Sequence, residues 1–264
     1  MNSVASTLNR AAEAAPMLSR ALAQLGRAAS TAAGIIEMRS YQMKPEATAT
    51  YLQMCAETAA VRAEVAPGFL GMFSVEAGGP LNVVRHFYRY QDMEHRHAVR
   101  AAMPKNLDWR NFLSDSKAHL QSQESWIFVP CLDVMEAGGA TPISELQPTI
   151  PSGKPAGGVY ELRRYQLVPG YPTVPKLREL FCEGLPEKIA ADQHGKLVAF
   201  AASDVGVLNN VIELWRYDSM AASLKARQAS RQATKWRECI SGVAPLTQTF
   251  TTELMVPTPF SPWQ

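Results

Sequence analysis

The chain has 264 residues, of which 47% are hydrophobic and 19% charged, and its 26 basic and 24 acidic side chains leave a net charge of +2. That length suits two domains, and the composition excludes a disordered or fibrous chain. The near-neutral charge removes the electrostatic basis for nucleic-acid binding.

Residues 1–35 are rich in Ala, Ser and Leu, with Arg10, Arg20 and Arg27 as bases and Glu13 as the only acid. A helical, Arg-bearing, acid-poor start is the composition of an organellar targeting segment. The alternative is a surface helix packed on the domain that follows.

From Ile36 to Met43 apolar and polar residues alternate, the period of a half-buried strand. Pro45 suits a first helical turn, and Tyr51, Met54 and Cys55 then recur at helical spacing until Pro67-Gly68. Phe69 to Val75 and Leu81 to Tyr90 read as strands paired around Ala77-Gly78-Gly79-Pro80. A helical region begins at Asp92 and continues past Pro104 through Trp109 and Phe112, and Trp126 to Val129 reads as a short closing strand.

The pattern then returns. Glu37-Met38-Arg39-Ser40-Tyr41 is matched 124 positions later by Glu161-Leu162-Arg163-Arg164-Tyr165. Leu81-Asn82, Arg89-Tyr90, Trp109-Arg110 and Val129-Pro130 all recur 127 positions later, as Leu208-Asn209, Arg216-Tyr217, Trp236-Arg237 and Val256-Pro257. One register held through separated blocks marks an internal duplication. Each copy is a ferredoxin-like βαββαβ module, residues 36–134 and 159–264, joined by a Pro/Gly-rich linker at 135–158. A four-stranded sheet covered on one face must bury the other. The expected fold is therefore α+β, with the two modules packed sheet to sheet as a pseudo-dimeric α+β barrel.

At these residues the chain resembles the NIPSNAP family. The resemblance rests on Glu37-x-Arg39-x-Tyr41-x-Met43-x-Pro45, on Leu81-Asn82 leading into Arg89-Tyr90, and on Ser122-Gln123-Glu124-Ser125 before Val129-Pro130. The second copy adds Tyr160-Glu161-Leu162-Arg163 and Leu214-Trp215-Arg216-Tyr217 but lacks the Ser-Gln-Glu-Ser signature. The resemblance implies a dimeric α+β barrel, a mitochondrial address, and interaction roles with no reaction assigned.

Strand parity puts Glu37, Arg39 and Tyr41 on one face and Ile36 and Met38 on the other. The apolar face is expected to take the helices. Glu37, Arg39 and Tyr41, with their mates Glu161, Arg163 and Tyr165, are then expected to face the space between the sheets. His86 and Tyr88, with Glu213 and Trp215 as their mates, would share that space.

Two readings follow. In one, His86 serves as a base or haem ligand, with Tyr88 beside it and Arg39 gripping an anionic substrate, for oxygenase-like or isomerase-like chemistry. In the other, the repeated Glu and Arg form intersheet ion pairs and the protein is a non-catalytic scaffold, acting through sheet edges, its helical face and the N-terminal segment. The second is the expectation, with no cofactor and no metal. Its partners would be other mitochondrial proteins, such as a large inner-membrane or matrix assembly of which this is an accessory subunit. No run reaches the roughly 20 apolar residues that span a bilayer, so any membrane contact would be peripheral. Cys55, Cys131, Cys182 and Cys239 are too scattered for a disulfide framework or a metal knuckle.

Overall fold

The computed structural model describes residues 34–146, 148, 151 and 157–264. All of the targeting-like segment but its last two residues lies outside them. Ile35 already belongs to the first strand and is buried.

Each half builds four antiparallel strands: β1 (Ile35–Met43), β2 (Phe69–Ala77), β3 (Val83–Tyr90) and β4 (Leu120–Pro130), then β5 (Val159–Leu167), β6 (Gly195–Val205), β7 (Asn210–Tyr217) and β8 (Thr247–Pro257). The halves do more than face each other. Pairing of β2 with β8 and of β4 with β6 closes one barrel in the order β1-β3-β2-β8-β5-β7-β6-β4. An eight-stranded barrel has a lumen just wide enough for side chains to fill. Here Phe73 touches Phe87 at 5.8 Å and Tyr160 of the other half at 4.7 Å between ring centroids. Ile36, Met38, Phe128 and Leu162 are buried with them.

The seams are short. β8 meets β2 only from Leu254 to Pro257, and β4 meets β6 only from Ile127 to Pro130. Gln121–Ser125 and Gln248–Thr252 therefore overhang, laddered on one side to β1 and β5. This explains why β4 begins at Leu120, six residues before the expected short strand. Its first half is polar and solvated on both faces, so it carries no alternation for a sequence to display.

The helices lie outside. In the first half they are α1 (Thr48–Glu57), α2 (Ala59–Val65), α3 (Met93–Ala102) and α4 (Leu107–Ser116). The short α5 (Leu132–Ala137) lies in the connection, and the second half carries α6 (Thr173–Ala191), α7 (Met220–Ser230) and α8 (Thr234–Val243). The caps are local. Asp92 accepts from the His95 amide at 2.7 Å, and Ser219 accepts from the Ala222 amide at 3.1 Å. Leu177, Phe181, Leu185 and Lys188 form the buried stripe of α6, and Gly184 lets α8 approach, since a Cβ there would meet the Cys239 Cβ at 2.6 Å.

Candidate functional site

The parity of the strands is as expected, but the faces are exchanged. Ile36 and Met38 fill the lumen, whereas Glu37, Arg39 and Tyr41 face the helices. Glu161, Arg163 and Tyr165 do the same in the second half, as do His86, Tyr88, Glu213 and Trp215. The physical reason is solvation. A closed, filled lumen offers almost nothing to solvate a charge, while the helix layer brings its own cations and reaches water at its margin.

The intersheet ion pair expected of Glu37 and Arg39 is made instead by residues the sequence did not single out. Arg85 of β3 grips Glu253 of β8 through two hydrogen bonds of 3.0 and 2.6 Å, with Ser40 as a third partner. Neither residue lies in a repeated motif, so no signal pointed to them.

In the first half, Glu37 is fully buried. Its Oε1 receives the Arg96 guanidinium of α3 at 2.7 Å and the Ser125 hydroxyl at 2.5 Å. Arg39 and Arg100 lie 3.8 and 3.7 Å from the same oxygen. Burial pushes the carboxyl up, but the Arg96 hydrogen bond and the Arg39 charge more than offset it and hold it below the usual range. Arg62 of α2 donates to the Tyr88 hydroxyl at 2.8 Å and lies over Phe69, Trp109 and Phe112 at 5.0 to 5.5 Å. His86 stands directly across the ladder from Arg39, only 1% exposed, with the Tyr41 ring 4.6 Å away. Burial first, then the charges of Arg62 and Arg39, press its pKa well below the ordinary value, so the ring is neutral. Both of its nitrogens lack a hydrogen-bond partner among the described residues.

In the second half the same register carries different chemistry. Glu213 stands across from Arg163, in the place His86 takes beside Arg39. Glu213 accepts from the Tyr165 hydroxyl at 2.6 Å and from the Trp215 indole. Glu161 binds Arg163 at 2.9 Å and Arg227 of α7 at 3.4 Å. Lys188, buried on α6, puts its Nζ 3.0 Å from the centroid of the Trp215 ring. Burial, ahead of the neighbouring charges, lowers its pKa to about 7.

The β-strand residues grouped from the sequence do share one face in each half, but their helical counterparts Arg62, Arg96 and Lys188 were missed. Arg96 stands between His95 and His97, a polar run with no apolar period to mark it as buried. Lys188 alone had a usable signal, sitting in register with the apolar stripe of α6. Among the described residues, no three His, Cys, Asp or Glu side chains are grouped to hold a metal. A cavity of about 500 Å³ opens elsewhere, lined by Gly34, Gly68, Arg89, Tyr90 and His95.

The NIPSNAP family profile matches residues 36–133 and again 160–262. Protein NipSnap homolog 3A of Homo sapiens is 28% identical over 230 residues, covering 86% of this chain and 84% of that protein. Protein NipSnap homolog 3B of Mus musculus is 30% identical over 237 residues with the same coverage. Among solved structures, a candidate monooxygenase from Fusobacterium nucleatum aligns with a TM-score of 0.59 at 11% identity, over 85% of this chain and 92% of that one. That likeness is one of fold.

Proposed function

The chain belongs to the NIPSNAP family, and on that premise we propose that it is a non-catalytic interaction protein of mitochondria, one suited to serve as an accessory subunit of a large matrix or inner-membrane assembly. The mitochondrial assignment rests on the composition of residues 1–35 and on the family. The interaction role rests on one observation: a single rim of the barrel gathers the features of a docking surface. β1 and β5 run in the same direction, so the turns β2–β3 and β6–β7 and the overhanging starts of β4 and β8 all meet at the rim where β1 and β5 end. Leu208 is 60% exposed there and Tyr171 fully exposed, with Val168, Val207 and Phe250 beside them. The Asn209 side chain ties the two loops together, donating to the carbonyls of Val168 and Gly170 at 3.0 Å. An apolar rim flanked by strand segments laddered on one side suits protein docking and strand addition.

The Glu and Arg clusters support the same reading. They fasten helices to the sheet in both halves, and His86 is walled by Tyr41, Tyr88 and Arg39, with no carboxylate hydrogen-bonded to it among the described residues. Among the described residues no helix is long and apolar enough to cross a membrane.

The test is native electrophoresis of mitochondria carrying the full chain or its Tyr171→Glu/Leu208→Glu variant. The wild type is expected in a large assembly and the variant, equally stable, at the mass of the free protein. Identical migration of the two overturns the rim as the docking surface. The purified protein is expected to show no haem absorbance, and a stoichiometric Soret band overturns the cofactor-free reading.

A further inference from the structure

The two halves place the same fastening on the same register, yet the first is short of negative charge. Arg39, Arg96 and Arg100 all converge on Glu37 within 3.8 Å, and it is the one carboxylate among the described residues paired with them. Arg62, deeper in the layer, is met by a phenol, a thiol and aromatic faces instead of an acid. In the second half, Glu161 and Glu213 together serve Arg163 and Arg227. Ladder register makes the substitution explicit, because the position across from the arginine is Glu213 in one half and His86 in the other.

The helix above differs in step. α7 rests on the sheet through buried Ala222, Ser223, Ala226 and Ser230, whereas α3 buries none of its residues. Arg96 stands at the place of Ser223, so α3 meets the sheet there through a guanidinium on Glu37, where α7 packs a small buried side chain. Among the described residues, this layer leaves both nitrogens of His86, the Nε atoms of Arg39, Arg62 and Arg96, and Oε2 of Glu37 without partners, against Glu161 Oε2, Lys188 Nζ and Arg227 Nε in the second half. Buried polar groups in folded proteins are almost always satisfied, so such a concentration in one place marks an incomplete site.

We propose that the space between α3 and the sheet of the first half binds a small carboxylate, which supplies to Arg39 the negative charge that the Glu213 side chain supplies to Arg163. Entry is past Arg100, the most exposed of the three converging arginines. His86 forms the floor and can offer a ring N–H to the bound oxygen. The site binds without turning over, so the inference goes beyond the docking role and stands or falls separately from it.

The second half supplies the probe, since the Glu213 side chain is in effect a tethered propionate. Thermal unfolding of the full chain is followed against propionate, inorganic phosphate and chloride at equal ionic strength. Propionate is expected to raise the midpoint saturably and to shift the His86 ring resonances, with chloride doing neither. Arg100→Gln, at a part-exposed position that should fold, is expected to weaken propionate about tenfold, the loss of one charge-assisted contact. His86→Glu supplies the carboxylate internally and is expected to raise the midpoint without ligand and abolish the propionate response. No saturable response beyond chloride overturns the site, as does binding that Arg100→Gln leaves unchanged. Tighter binding of phosphate than of propionate overturns the carboxylate assignment. If His86→Glu does not fold, the Arg100→Gln titration decides alone.

Discussion

The first half gathers three arginines around one buried carboxylate, while the second shares two carboxylates between two arginines and lays a buried lysine over the Trp215 ring. Strand order and ladder register are the same in both. The comparison teaches that the repeat specifies where a helix is fastened to the sheet, not how the charges there are closed. A single cross-strand position, His86 or Glu213, decides whether the chain closes them itself.

The largest effect should come from taking away the central acid. Glu37→Gln leaves three guanidiniums with no carboxylate and is expected to cost about 3 kcal/mol, the low end for a buried pair because the arginines keep some contact with water. Glu161→Gln should cost less, since Arg163 still faces Glu213. Denaturant midpoints of the two variants measure the difference, and equal losses would mean that the two layers are electrostatically alike.

Lys188 makes the second half sensitive to pH. It titrates at about 7 when folded and near 10.5 in an open chain. Between those values the unfolded chain holds the extra proton, so stability should rise with pH by roughly 1.4 kcal/mol per unit from this group. Below about 7 both states are protonated and the slope vanishes. Lys188→Met should remove the rise, as seen by comparing unfolding free energies of the two proteins across neutral and alkaline pH.

A smaller contrast separates two tyrosines in equivalent places. Tyr165→Phe forfeits a hydrogen bond to the Glu213 carboxylate and should cost about 1.5 kcal/mol. Tyr41 has no such bond among the described residues, and burial first pushes its hydroxyl up to about 12. Tyr41→Phe should therefore be nearly neutral in the same denaturation assay. Smallest of all, Tyr171→Ser at the fully exposed rim should leave stability within about 0.5 kcal/mol of wild type. A larger loss would show that the rim is part of the core packing.

Much of the fold was legible because its signals are local or repeated. Pro45 and Pro67-Gly68 bracket the first helical segment, Asp92 caps α3 where the pattern placed a helix start, and the duplicated Glu-x-Arg-x-Tyr located β1 and β5. Overhanging β4 escaped because a strand segment with both faces in water needs no alternation. The candidate site was legible only by half. The β-strand members could be paired by period and offset, but Arg62, Arg96 and Lys188 reach them from helices, across sequence distances that no spacing rule connects.

The sequence alone determined that there are two modules, which residues share a strand face, and that His86 and Glu213 break the symmetry. Tertiary structure decided which face is inside. Period two separates the sides of a strand without labelling them, and the label came from closure. Once eight strands form one barrel, the lumen can hold only a dry, close-packed core plus the fully paired Arg85 and Glu253. The unpaired charges had to turn outward, toward helices whose arginines can meet them and whose margins reach water.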